Sequence, residues 1–483
     1  MDPRPATSRR WTVLAICCLS LFLVGLDTTI VNVGLPSIGA GLGVGTRGLE
    51  WAVDAYTLVL ASLLISSGAL ADRIGRRRVF RLGLVVFGAA SVACALAPTI
   101  GALVAARVAQ GVGASMLSPV ALAIVVNVIS EPKERARAIG VWAAVFGVSM
   151  AAGPVAGGAL ISAVGWRSVF WINVPVVAAV LVLTAVFVPE SRAQRPRRLD
   201  APGQLLLTVV VGCSVAVLIE GPHIGWDSPA AIAGYVIVAV SAATFGWVES
   251  RRAEPLVDPR LFRRPPFVAA VVGAVVVFVA LSATLLLNTL YLQHARGMTP
   301  LAVGMVTLPM AIAATVCAPL SGVLVGRFGP RPPLALAGGF ITAGGLCLVG
   351  IGDHTDIRSL SSAYLLVGIG FGFANAPITN TAVSGLPPAR AGVAGGITST
   401  ARQLGSALGI AVAGSVVVDA SPAHFAQALR PGWLLVTGCG LIVLVATLMA
   451  PAAGRHQNPQ VGGEPGGGRR TAGVGVGRQP GGG

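Results

Sequence analysis

The stretch WTVLAICCLSLFLVGLDTTIVNVGLP occupies residues 11–36 and carries a single charged side chain, Asp27. It is long enough to cross the ~30 Å hydrocarbon core of a bilayer as a helix. A carboxylate near the middle of such a helix costs roughly 2.5–3.5 kcal/mol, and such groups tend to face a bundle interior or a wet cavity. Asp27 is therefore the first functional candidate. The alternative is a structural aspartate that caps or packs near a helix end.

The composition of the whole chain is that of a polytopic membrane protein. Hydrophobic residues make up 54% of the 483 residues, charged residues only 11%, and the mean hydropathy is +0.81. The net charge of +16 is carried by short loops between apolar segments, which favours membrane orientation over nucleic-acid binding. All seven cysteines lie in apolar segments without metal-binding or redox spacing, so we expect no metal site.

Apolar windows bounded by charged residues or Gly/Pro clusters predict fourteen membrane helices. They cover roughly residues 11–35, 50–71, 79–97, 99–122, 138–163, 168–188, 203–220, 229–248, 267–289, 301–324, 333–351, 359–382, 391–418 and 432–451. The expected fold class is therefore an all-α polytopic membrane protein.

The distribution of basic residues predicts the orientation in the membrane. If the amino terminus is cytoplasmic, most of the 34 basic residues lie in cytoplasmic loops and tails. The basic residues left on the outside are Arg47, Arg167, Arg296, Arg358 and Arg430. Because short cytoplasmic loops carry an excess of Arg and Lys, we expect both termini to be cytoplasmic.

An internal repeat predicts two related halves. The sequence GALADRIGRRR at 68–78 follows the second window, and a degenerate copy, GVLVGRFGPR at 322–331, follows the tenth. Duplicated halves around a central pathway are a common design of transporters. The predicted organisation is a cytoplasmic amino terminus at 1–10, a six-helix bundle at 11–188, two inserted helices with cytoplasmic loops at 189–265, a second six-helix bundle at 266–451 and a disordered cytoplasmic tail at 452–483.

The turn after the second window combines small residues, one acid and several arginines. Asp72 can pair with an arginine or cap the next helix, whereas a simple positive-inside loop explains only the arginines. The turn resembles the signature loop of the major facilitator superfamily. That resemblance implies a gate for the movement of the two bundles, formed by Gly68, Asp72, Arg73, Gly75 and Arg76.

Further stretches resemble the fourteen-span drug:proton antiporters of that superfamily, the EmrB/QacA-like branch. They are the first-helix motif at 26–36, the proton-linked arginine motif at 103–113, the exporter motif at 147–158 and a stretch at 400–409. The exporter motif contains Gly147, Gly153, Pro154, Gly157 and Gly158. Gly153 and Gly157 are one turn apart and permit close backbone approach, and Pro154 favours a kink, although ordinary small-residue packing is the alternative. The resemblance implies two six-helix bundles with two inserted central helices.

Asp27 and Arg107 are predicted to form a buried pair. Each lies about eight residues from the outer end of its helix, which is roughly 12 Å at 1.5 Å per residue. An arginine partner keeps the carboxylate ionised, and separation in a buried site favours its protonated form. The pair is either the proton-coupling site or a static structural contact.

Other polar residues are candidates for a substrate cavity. Asp54 is a vestibule acid for cationic substrates, a second proton site or an interfacial cap. The second half offers Asn288, Gln293, Asn375, Asn380 and Arg402 among otherwise apolar walls, which suits amphipathic or hydrophobic molecules. Each of these groups has interhelical hydrogen bonding as its alternative role.

The function predicted from these features is proton-driven efflux of drugs, antiseptics or natural products from a bacterial cell by alternating access. No nucleotide-binding loop occurs, so we expect no cofactor beyond the proton gradient, and no partners other than lipid, protons and small substrates. One alternative is an exporter or facilitator of one metabolite. An intramembrane enzyme is the other, but no HExxH or GxSxG motif occurs in the sequence.

Overall fold

The computed structural model describes residues 7–129, 131–192, 200–252, 255, 259–352, 355–384, 388–417 and 425–449. Across these ranges the secondary structure is helical, and they contain no β-strand. Twelve of the helices are long and apolar enough to cross a membrane. The chain is thus an all-α multi-pass membrane protein. The predicted tail at 452–483 lies outside the described residues.

The first part of the chain forms six consecutive helical segments. They are α1 (Thr7–Leu42), α2 (Thr46–Ile74), α3 (Arg76–Leu96), α4 (Ile100–Val128), α5 (Pro132–Val164) and α6 (Ser168–Phe187). Pro36 lies inside α1, which continues to Leu42 rather than ending near residue 35 as predicted. α4 is interrupted at Met116–Leu117 and restarts at Ser118, because Pro119 has no N–H to continue the hydrogen-bond ladder.

Two helices lie between the halves of the chain, and six more follow. The inserted pair is α7 (Ala201–Ile224) and α8 (Pro229–Arg251). The later helices are α9 (Pro265–Ala295), α10 (Pro300–Phe328), α11 (Arg331–Val349), α12 (Ile357–Val383), α13 (Pro388–Ser415) and α14 (Phe425–Met449). Side chains of Asp200 and Ser228 cap the first turns of α7 and α8, which explains where the two inserted helices begin.

Two long helices, α5 and α13, are not among the twelve candidate spans. Only the portion of α5 from Ala152 to Val164 is recognised as a shorter apolar helix. α13 combines Arg402 with many Gly, Ser and Thr residues, which lowers its apolar character. The fourteen predicted helices are therefore present as helical segments, whereas the described residues identify twelve by length and apolar composition.

The packing brings each half of the chain together and joins the halves along two seams. In the first half α1 packs against α5 and α6, and α4 against α2 and α3. In the second half α12 packs against α10 and α11, and α9 against α13. Contacts between the halves run along α2 with α13 and along α5 with α10. Helix α7 contacts both α2 and α13, so it covers the first of these seams from the side.

Candidate functional site

The buried centre of the first half is a carboxylate with three donors. Asp27 lies in the middle of α1 and is fully buried, and Arg107 of α4 is 1% exposed. Arg107 Nη1 donates to Asp27 Oδ2 at 2.7 Å. The other carboxylate oxygen, Oδ1, accepts from Gln110 Nε2 and Asn173 Nδ2, each at 3.0 Å. Asp27 is thus not a helix cap, and its charge is matched inside the bundle.

Neighbouring groups hold these donors in place. Arg107 Nε donates to the Ala52 carbonyl at 2.9 Å, and the guanidinium carbon lies 4.1 Å from the centre of the Tyr56 ring. Arg107 Nη1 also donates to Gln110 Oε1 at 2.7 Å. Ser91 Oγ accepts from Gln110 Nε2 at 2.9 Å and from Asn173 at 3.3 Å. Four helices, α1, α3, α4 and α6, therefore supply side chains to one polar cluster.

Gln110, Asn173 and Ser91 were not among the residues predicted for this site. Gln110 follows Arg107 by three positions and so shares its helix face, which is a signal present in the sequence. Asn173 and Ser91 give no comparable signal, because isolated Asn and Ser residues in membrane helices mostly form unrelated interhelical bonds. In chemical terms, the cluster surrounds the carboxylate with one cation and two amide donors.

The tight turn between α2 and α3 contains the predicted gating residues. Arg76 donates to Asp72 Oδ1 through Nη2 at 2.9 Å and Nε at 3.1 Å, so Asp72 pairs with an arginine. Gly75 has φ +120°, and a Cβ there would lie 2.7 Å from Glu190 Oε1. Both the conformation and the contact require glycine at this turn.

Glu190, at the end of the segment after α6, ties the turn to the rest of the first half. Its carboxylate accepts from the Arg77 backbone N–H at 3.1 Å and lies 3.7 Å from Arg78. Two predicted gating residues show less specific packing. Arg73 is exposed, and a Cβ at Gly68 would only meet Pro119 at 4.0 Å, so packing does not explain glycine at position 68.

The glycines of the predicted exporter motif lie where α5 meets two other helices. A Cβ at Gly153 would overlap the side chain of Thr29 on α1, and one at Gly157 would lie 2.8 Å from Ile30. A Cβ at Gly158 would lie 2.5 Å from the Pro300 carbonyl of α10. Conversely, a Cβ at Gly304 would lie 2.5 Å from the carbonyl of Pro154. The backbones of α5, α1 and α10 are therefore in direct contact beside Asp27, while Gly147 lies earlier in α5.

The six candidate cavity residues differ in their hydrogen-bond partners and in their exposure. Gln293 Nε2 donates to the Val33 carbonyl at 2.8 Å, which is the interhelical alternative considered for it. Arg402 Nη2 donates to Thr379 Oγ1 at 2.5 Å. The remaining four differ in exposure: Asp54 and Asn288 are buried, Asn375 is half-buried and Asn380 is exposed. Asp54 lies in the third turn of α2, well inside the helix, so it is not an interfacial cap.

An apolar groove of about 410 Å³ lies along α1 and α5. It is lined by Trp11, Leu14, Ala15, Cys18, Leu19, Phe22, Val141 and Val145. None of the six polar candidates borders it. The groove therefore offers hydrophobic contact without a charged or amide group, on the half of α1 that precedes Asp27.

These features define an α-helical membrane protein of many spans, in which two opposite charges and their hydrogen-bond donors are buried within the first half. The sequence profile of the Major Facilitator Superfamily matches residues 17–410. The chain belongs to that superfamily. The family predicted from the sequence motifs is thus confirmed, and its members act as transporters.

Several relatives are bacterial drug-resistance proteins. Multidrug resistance protein Stp of Mycobacterium tuberculosis is 43% identical over 404 residues, covering 83% of this chain and 74% of that protein. The tetracenomycin C resistance and export protein of Streptomyces glaucescens is 37% identical over 430 residues, covering 88% and 79%. Drug efflux pump JefA of Mycobacterium tuberculosis is 37% identical over 421 residues, covering 86% and 81%.

Proposed function

We propose that this protein exports hydrophobic or amphipathic compounds across a bacterial plasma membrane in exchange for protons. Drugs, antiseptics and natural products are the expected substrates, and the similarity to drug-resistance, export and efflux proteins supports export of such compounds. The observation that carries the proposal is the buried Asp27–Arg107 pair with its two amide donors. A charge pair so costly to bury, inside a transporter fold, is the natural place for ion coupling.

In the proposed cycle Asp27 exchanges one proton. With Arg107 2.7 Å away and amide donors from α4 and α6, the carboxylate is held ionised. Movement of α1 relative to α4 removes the cation, and a buried carboxylate without a cation binds a proton from water at one of its oxygens. Return of Arg107 releases that proton to water. The direction of release is set by which side the cavity faces at that moment.

Two other features support alternating access. The Asp72–Arg76 ion pair and Glu190 hold the α2–α3 turn in place. This rigid turn keeps α2 and α3 together while the two bundles move. The contacts of Gly158 and Gly304 place α5 and α10 backbone to backbone, so the two halves can rock with little change in side-chain packing. We assign conformational gating to the turn and the pivot to the α5–α10 seam.

We further propose that α5 and α13 also cross the membrane, giving fourteen spans in two six-helix bundles, 11–188 and 266–451, with α7 and α8 inserted between them. Both termini are then cytoplasmic, because that orientation places most loop arginines inside. The end of the bundle where α1 ends and α2 begins is the outer end. No bound cofactor or protein partner is required, since the proton gradient supplies the energy.

Substrate contact is proposed for the apolar groove along α1 and α5 together with scattered polar groups. The groove supplies hydrophobic area, and its opening along two membrane helices suits molecules that partition from lipid. Asp54, Asn288, Gln293, Asn375, Asn380 and Arg402 are the candidate hydrogen-bonding groups. A poly-specific site needs few such contacts, because hydrophobic burial dominates the binding of amphipathic molecules.

The test is export by the purified protein in lipid vesicles with an imposed pH gradient. A panel of dyes and antibiotics is assayed, and we expect accumulation that stops when a protonophore collapses the gradient. The Asp27→Asn variant should bind the same dyes but lose proton-driven accumulation. Arg167→Ala, which alters an arginine outside the cluster, is the matched control. Accumulation that survives the protonophore, or an unchanged proton dependence in Asp27→Asn, would refute proton coupling through this residue.

A further inference from the structure

Helix α2 buries two carboxylates one turn apart, separate from the Asp27 cluster. Glu50 is 2% exposed and Asp54 is fully buried. Among the described residues, neither carboxylate accepts a hydrogen bond or lies in an ion pair. Buried polar groups are normally paired, so these four unpartnered oxygens require an explanation.

Glu50 lies on the seam between the two halves of the protein, and Asp54 follows it one turn later on the same helix. The Glu50 carboxylate packs directly on Gly414, near the end of α13, where a Cβ would overlap it. Further along the same seam, Thr400 Oγ1 of α13 donates to the Ala61 carbonyl of α2 at 3.4 Å. The Glu50 side chain therefore lies between its own helix, α2, and α13. Separation of these helices at the outer end would expose it to water.

Among the described side chains of the neighbouring helices, no cation forms an ion pair with either acid. On α7 the facing group is Glu220, a further acid, which is held by Arg47 and by Trp51 Nε1 at 2.9 Å. On α4 the facing cation is Arg107, and it is committed to Asp27 and to the Ala52 carbonyl.

Of the two arginines in the sequence of α13, Arg402 is the nearer to Gly414, and it too is remote. Arg402 precedes Gly414 by roughly 18 Å of helix and donates to Thr379 instead. Among the described residues, the electrostatic partner acting on Asp54 is Glu50 itself. Arg47 on α2 and Arg107 on α4 are thus paired with other acids, while Glu220 adds like charge near Glu50 and Glu50 adds like charge near Asp54.

A buried acid in such surroundings takes up a proton instead of remaining ionised. Desolvating an unpaired carboxylate costs several kcal/mol, and a like charge one turn away adds to that cost. Protonating an aspartate or glutamate at neutral pH costs roughly 4 kcal/mol in water. This is less than the cost of keeping the carboxylate charged once both of its oxygens are desolvated. The closed seam and the protonated acids therefore stabilise each other.

We propose that Glu50 and Asp54 form an outer proton-binding site on the α2–α13 seam. Both acids are protonated while the seam is closed, and at least one is ionised when it opens. A proton from water at the outer end forms an O–H bond with a carboxylate oxygen during closure. Opening breaks that bond, returns the proton to water and leaves a hydrated carboxylate. This inference rests on the proposed alternating-access function and adds a second titrating site to it.

The test measures the outer end directly by the distance between two spin labels. Cysteines are introduced at Thr46 on α2 and at Ser415 on α13, in full-length protein whose native cysteines are replaced and which is reconstituted in lipid. Pulsed electron resonance then gives the label separation between about pH 5 and about pH 9. We expect the wild-type background to shift from short to long distances as the pH rises.

Three variants decide the interpretation. Glu50→Gln and Asp54→Asn each mimic the protonated acid, and we expect either to move the opening midpoint upward by at least about one pH unit. Asp227→Asn is the matched control, because this acid is exposed in the loop between α7 and α8, and its midpoint should match that of the wild-type background. Distances that ignore pH in the wild-type background, or unshifted midpoints in both mimics, would overturn the proposal. The measurement needs neither substrate nor gradient, so it separates this site from failure of drug export itself.

Discussion

Removal of Arg107 should destabilise the protein by an amount that depends on pH. In Arg107→Ala, the Asp27 carboxylate loses its cation at 2.7 Å while remaining fully buried. Breaking a buried ion pair from one side typically costs about 3–5 kcal/mol, because the remaining charge has no compensation. The variant can limit that cost by binding a proton at Asp27.

The limit follows from the cost of protonation. Protonating an aspartate in water costs about 4 kcal/mol at pH 7 but only about 1.5 kcal/mol at pH 5. We therefore expect the loss of stability in Arg107→Ala to reach about 4 kcal/mol at pH 7 and to fall by roughly 2.5 kcal/mol at pH 5. The loss of stability must be smaller at the lower pH, because protonation removes the uncompensated charge and acid conditions make protonation easier.

Thermal unfolding of the purified protein, followed by fluorescence of its eight tryptophans, measures the effect at both pH values. The double variant Asp27→Asn/Arg107→Ala contains no buried charge at this site, so its melting temperature relative to wild type should be nearly independent of pH. Arg167→Ala controls for loss of an arginine, since Arg167 lies over the ring of Trp166 outside the cluster. An equal loss in Arg107→Ala at pH 5 and pH 7 would show that Asp27 carries no uncompensated charge.

Three further predictions follow from packing. Gly158→Leu should abolish export because its side chain would meet the Pro300 carbonyl, whereas Gly322→Leu on α10, with open space around it, should export normally in the vesicle assay. Gly75→Ala should cost about 1–3 kcal/mol in thermal unfolding because of its positive φ and the contact with Glu190; an equal effect of Gly101→Ala would contradict this reasoning. A disulfide joining positions 66 and 204 should permit export, because Gln204 and Glu220 of α7 are hydrogen-bonded to α2 and we propose that α7 moves with α2. A disulfide joining positions 215 and 411 links α7 to α13 and should stop export; export by both variants would refute this.

The fold was largely predictable because its signals are local. Apolar length predicts spans, and the helices occur where the fourteen windows were placed. Helix ends were less predictable: α1 passes through Pro36 to Leu42, and α2 begins at Thr46 rather than near residue 50. That earlier start puts Glu50 inside the helix and explains why it was not singled out as a candidate.

The buried pair was predictable and its surroundings were not. Asp27 and Arg107 are charged residues within apolar windows, where burying a charge is costly, so the sequence alone singles them out. Their similar depth below the outer helix ends predicts that they pair. Asn173 and Ser91 reach the same carboxylate cluster only because α3 and α6 pack beside α1. Likewise, burial of Glu50 depends on Gly414, more than 300 residues away in the sequence, and no local pattern encodes that contact.

The distribution of charge indicates that the α5–α10 and α2–α13 seams have different roles. The described contacts of Gly158 and Gly304 join the α5–α10 seam through glycines and backbone carbonyls, groups that do not titrate, so these contacts do not depend on pH. The α2–α13 seam contains the buried Glu50, which we propose changes its charge on exposure to water. If the two halves rock about the α5–α10 contact, the helices far from that contact move the most. A proton bound at the α2–α13 seam therefore acts directly on the outer opening, while the proposed separation of Asp27 from Arg107 is a movement of α1 against α4 within the first bundle.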